Sequence, residues 1–114
     1  MSTRAQVRFV TREDGVSFSE HPEKINAQFY VHSDGYPEGL GVEIAESLVS
    51  YQKINNWEVE ELHHQHTDLE YIYYVWQKLD DSTWISIFED YKHGGCIFVG
   101  EPLALLAKYS TPSE

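Results

Sequence analysis

The chain has 114 residues, of which 41% are hydrophobic and 14% aromatic, with a formal net charge of −11 at pH 7 and a single cysteine. That length suits one domain and excludes two ordinary ones, and the acidity excludes a protein that grips nucleic-acid phosphates, which needs a basic stripe. A lone cysteine, Cys96, excludes an internal disulfide framework and a cysteine-cluster zinc site. No apolar run is long enough to span a bilayer, and the first residues do not read as a signal peptide, so a cytoplasmic protein without membrane contact is expected.

In chain order, "TRAQVRFVT" alternates, with Ala5, Val7 and Phe9 on one face and Arg4, Gln6 and Arg8 on the other, the period of a half-buried strand. "EDG" at 13–15 is a turn signal, and "INAQFYVH" at 25–32 reads as a second strand rich in aromatic and β-branched residues. Over 37–54, Leu40, Ile44, Leu48 and Tyr51 recur at helical spacing, with Ala45 and Val49 beside them. Pro37 suits the first helical position and Glu38 the positive end of the helix dipole. Gly41 lies on the apolar stripe, where it would let the helix approach a sheet closely. "NN" at 55–56 ends the helix. "YIYYVWQKL" at 71–79, "TWISIFED" at 83–90 and "CIFVG" at 96–100 read as strands separated by turns, and "EPLALLAKY" as a short final helix. Residues 110–114 read as a frayed tail. The expected fold is one α+β domain over 1–109. It is an antiparallel sheet of about five strands, with one main helix on one face and a short C-terminal helix.

The junction between the second strand and the main helix, "HSDGYPEGLG", concentrates chemistry-bearing residues at a constrained corner. Gly35 permits unusual backbone, Pro37 stiffens the turn, and His32 and Asp34 share a face on a continuing strand. Free amides at such a helix start suit an anion, with Arg4 or Arg8 offsetting the charges of Asp34 and Glu38. The plainer alternative is that Asp34 caps the helix or closes an Asx turn and Tyr36 packs.

The corner, together with Thr3 and Arg4, resembles a family of small phage and prophage proteins. Its members open on a similar "TR" strand and carry a His-x-Asp-Gly-Tyr-Pro-x-x-x-Gly corner, matched here by His32, Asp34, Gly35, Tyr36, Pro37 and Gly41. The resemblance covers about the first half of the chain. The chain also resembles the Tad1-like anti-Thoeris sponges of phages. That likeness implies an α+β homo-oligomer that binds cyclic ADP-ribose signals without cleaving them.

Other features weigh less. His64, His66 and Asp68 in "HHQHTD" would share a face on an extended segment, a workable metal-ligand spacing, but a histidine-rich surface loop is the simpler reading and no metal is assigned. Cys96 opens an apolar strand and reads as a buried structural thiol. There is no nucleophile elbow, P-loop or dinucleotide fingerprint. Tyr71, Tyr73, Tyr74, Trp76 and Trp84 exceed what one helix can cover, which points to an oligomer, and their rings could also stack a nucleobase. The expected function is sequestration of a small nucleotide-like ligand by Arg4, Arg8, His32, Asp34, Gly35 and Tyr36, with no cofactor, no catalysis and no direct nucleic-acid binding. An acidic protein-binding inhibitor or nucleic-acid mimic is the second reading. A hydrolase using His32 as base and Asp34 as its orienter is the third.

Overall fold

In chain order, the secondary structure consists of strand β1 (Ala5–Thr11), strand β2 (Lys24–Val31), a π-helical turn (Pro37–Gly41) running into helix α1 (Val42–Ser50), strands β3 (Trp57–Glu60), β4 (Tyr71–Gln77), β5 (Thr83–Glu89) and β6 (Cys96–Gly100), and helix α2 (Pro102–Tyr109). The computed structural model describes residues 3–11, 24–31, 35–50, 57–60, 69–77, 82–89 and 95–109. The strands form one six-stranded sheet in the order β3-β2-β1-β4-β5-β6. The fold is α+β, as the pattern of elements predicts.

Two features depart from the expected sheet. β1 and β4 are parallel, with Val7 opposite Tyr73 and Arg8 opposite Tyr74, while the other four pairs are antiparallel. β3 adds a short edge strand in "WEVE", where Val59 pairs with Phe29. Both follow from one topological fact. β3 and β4 run in the same direction, yet lie on opposite sides of the β2–β1 pair. Adjacent antiparallel hairpins throughout would have placed β4 beside β3.

The main core lies between the sheet and the helices. Ala5, Val7, Val31, Tyr73, Val75, Ile85 and Ile87 meet Leu40, Ile44, Ala45 and Leu105. The stripe Leu40–Ile44–Leu48 faces the sheet as its spacing predicts, with Leu48 half-buried, whereas Val49 is 45% exposed. Gly41 is buried, and a methyl group there would stand 3.4 Å from the Tyr73 ring and 3.6 Å from Leu105, ordinary van der Waals contact, so the helix start lies against the sheet without requiring glycine.

The opposite face of the sheet is also buried, and this corrects the expectation of a half-buried first strand. Val10, Ile25, Tyr30, Leu69, Ile72, Tyr74, Trp76 and Phe88 form a second apolar cluster there. Among them lie four buried polar residues, Gln6, Arg8, Gln28 and Ser86. The alternation in β1 therefore separates an apolar face from a buried polar one, not from solvent. Three of the four aromatic residues of β4 are buried within a single chain: Tyr73, Tyr74 and Trp76 are all at or below 3% exposure, while Tyr71 is half-buried. Tyr73 lies in the helix-facing core, and Tyr74 and Trp76 lie in the second face. Cys96 is half-buried, not fully enclosed, and its thiol donates to the Phe98 carbonyl at 3.3 Å.

Candidate functional site

The corner is built from three strands. The Gly35 amide donates to the Thr3 carbonyl at 3.0 Å, which ties the chain after β2 to the residues that lead into β1. The approach is close enough to require glycine: a Cβ at Gly35 would lie 2.8 Å from the Ala5 Cβ and 2.9 Å from the Thr3 oxygen. The Arg4 carbonyl in turn accepts the amides of Glu70 and Tyr71, joining the start of β4 to the same point. Tyr36 occupies the cap position before the π-helical turn in an extended conformation and makes no side-chain cap bond. Its carbonyl accepts both the Gly39 and the Leu40 amides at 2.9 Å. Pro37 stands at the start of this turn, where its missing amide costs no helical hydrogen bond, and the turn runs directly into α1 at Val42.

Beneath the corner sits a residue that sequence reasoning assigned only to the aromatic core. The hydroxyl of Tyr73 donates to the Gly35 carbonyl, and the Gly41 amide faces the Tyr73 phenolic oxygen. Burial, together with nearby Tyr71, Tyr109 and Glu38, holds the Tyr73 pKa far above the ordinary tyrosine value, so the group stays a hydrogen-bond donor. Its signal in the sequence was its position: in "YIYYVWQ" it falls on the helix-facing side of β4, where a hydroxyl must find a partner.

The predicted site residues separate. Arg4 and Tyr36 are exposed, Tyr36 at 39%, and they flank the Thr3–Gly35 bond on either strand. Arg8 lies on the other face of the sheet and is 3% exposed. Its Nε donates to Gln28 Oε1 at 2.9 Å, Nη2 to Gln6 Oε1 at 2.9 Å and Nη1 to the Tyr74 hydroxyl at 3.0 Å. The guanidinium also lies over the Tyr74 ring at 5.7 Å. This arginine is engaged in the second face of the sheet and does not join Arg4 at the corner. His32 and Asp34 lie outside the described residues, as do His64, His66 and Asp68. Among the described residues, no group of three His, Cys, Asp or Glu side chains could hold a metal ion.

Electrostatics at the corner's end of the sheet are mixed. Arg4 supplies a positive charge, and the exposed Glu38, Glu70 and Glu89 supply negative ones. Partial burial and then the fields of Glu89, Glu38 and Glu70 raise the pKa of the half-buried Tyr71, which stands 6.4 Å from Tyr73 between ring centroids. Hydroxyl donors, carboxylate acceptors, one guanidinium and exposed aromatic surface therefore lie at one end of the sheet. That set suits a ligand that combines an anionic group with hydroxyls and a planar ring. Among the described residues, no helix is long and apolar enough to cross a membrane. Compared with protein-family models, curated proteins and solved structures, the chain matches none.

Proposed function

We propose that the chain is a phage-type binding protein that sequesters a nucleotide-derived immune signal of the cyclic ADP-ribose class, without cleaving it, in the cytoplasm of the host cell. The observation that carries this reading is that two exposed residues, Arg4 and Tyr36, flank the Thr3–Gly35 backbone bond at a corner that the buried Tyr73 hydroxyl also holds. A held corner presents its groups at little entropic cost on binding. Arg4 offers a fork to a pyrophosphate, Tyr36 a ring and a hydroxyl to a base or sugar, and Glu38 and Glu70 acceptors for ribose hydroxyls. The test is a thermal-shift screen of the full chain against cyclic nucleotides and ADP-ribose derivatives, with the bound ligand recovered by mass spectrometry. An ADP-ribose-type ligand that raises the melting temperature and is recovered intact supports the reading; recovery of a cleaved product contradicts it.

A second reading, an acidic inhibitor that binds a basic face of a host defence protein or mimics nucleic acid, draws on the cluster Glu38, Glu70 and Glu89, whose combined field reaches Tyr71. It predicts no small-molecule shift, and a protein complex that weakens steeply with salt.

A further inference from the structure

The sheet has two edges, and their chemistry differs. β3 is a four-residue strand, Trp57–Glu60, whose sequence carries two acids, Glu58 and Glu60, and short, charged edge strands disfavour pairing with another chain. β6, at the other edge, is Cys-Ile-Phe-Val-Gly, with Cys96, Ile97, Phe98 and Val99 all half-buried. From Gly95 to Tyr109 the chain has one acid, Glu101, and one base, Lys108, against −11 for the whole molecule. Among the described residues, no strand pairs with β6 on the side away from β5. The Ile97 carbonyl is reached only at 3.4 Å by the long, exposed side chain of Lys108, which also lies over the Phe98 and Tyr109 rings. Leu103, 68% exposed, begins α2 directly after this strand. In so acidic a molecule, a neutral apolar edge is where a second copy meets the least repulsion and gains backbone hydrogen bonds as well.

We propose that β6 pairs antiparallel with β6 of a second copy, joining the two six-stranded sheets about a two-fold axis. The same patch serves both partners, so the contact closes at a dimer; pairing β6 with the β3 edge of another copy would instead propagate into a filament. Sedimentation and light scattering of the full chain over micromolar concentrations test this. A concentration-dependent dimer is expected. Val99→Glu, which puts a charge on each side of the pair, raises its dissociation constant about tenfold or more, while Val99→Thr leaves it within a few-fold. If Val99→Glu does not fold, hydrogen exchange on the unaltered chain decides: β6 amides slow with rising concentration while those of β1 and β4 do not change. A monomer at every concentration, a folded Val99→Glu chain that still dimerises normally, assembly beyond the dimer, or β6 exchange indifferent to concentration overturns the proposal.

Discussion

The Tyr73 hydroxyl is buried and bonded to the Gly35 carbonyl, so removing it leaves that buried carbonyl without its hydroxyl donor. Tyr73→Phe is expected to cost about 1–3 kcal/mol in chemical denaturation, the usual penalty for buried groups left unsatisfied. Because its pKa is raised in the folded state, its contribution is complete at neutral pH. It declines above about pH 10, where the unfolded chain sheds a proton that the folded chain keeps. Alkaline melting curves of the unaltered chain should therefore fall more steeply than those of Tyr73→Phe. The two buried corner glycines should differ. Gly35→Ala meets the Ala5 side chain and the Thr3 backbone at under 3.0 Å and is expected to destabilise by about 1–3 kcal/mol, as overpacking does. Gly41→Ala meets only ordinary side-chain contacts from 3.4 Å outward and should stay within about 1 kcal/mol of the unaltered chain.

Across the sheet's second face, Gln28, Arg8, Tyr74 and Ser86 occupy one row, each opposite the next on the neighbouring strand. Arg8 serves three neutral acceptors with a planar fork that lysine does not possess. Arg8→Lys is therefore expected to lower stability by about 1–3 kcal/mol in a urea titration, although charge is conserved. Ser86 is the opposite case: its hydroxyl is fully buried and, among the described residues, makes no hydrogen bond. Ser86→Ala should be neutral or stabilising by up to about 1 kcal/mol, and a clear loss would show that the hydroxyl has a role this geometry lacks. These elements also mark how far the sequence could be read. β2, β4, β5, β6 and both helices were legible because their apolar spacing is local. β1 was legible as a strand, yet Gln6 and Arg8 looked solvated, because alternation does not distinguish water from a buried polar row. β3 was missed because the alternation of Trp57 and Val59 with Glu58 and Glu60 runs for only four residues, and the parallel β1–β4 pair because strand order is not encoded in any local pattern. At the corner, Gly35, Pro37 and Gly41 were readable from turn chemistry, whereas the clamp by Tyr73 depends on a contact across 38 positions.

For the whole molecule, charge and shape set the terms on which any partner is met. A net charge of −11 repels anions at long range, so a phosphate-bearing ligand must be held by close contacts and not by steering. Arg4 is the described positive charge at the corner, and its share of the binding energy should shrink as salt rises. Tyr73, Tyr74, Trp76 and Phe88 are buried in the two faces of the sheet, and the proposed dimer accordingly forms at the β6 edge. The central claim concerns the corner, and calorimetric titration with cyclic ADP-ribose tests it most directly, using the unaltered chain, Arg4→Ala and Tyr36→Phe, each with its own melting curve. Measurable binding to the unaltered chain is expected. Binding should be about tenfold to a hundredfold weaker in each variant, the usual worth of a hydrogen bond to a charged ligand, with melting temperatures nearly unchanged. Absence of binding to the unaltered chain, or binding that both variants retain in full, would contradict the proposed ligand site.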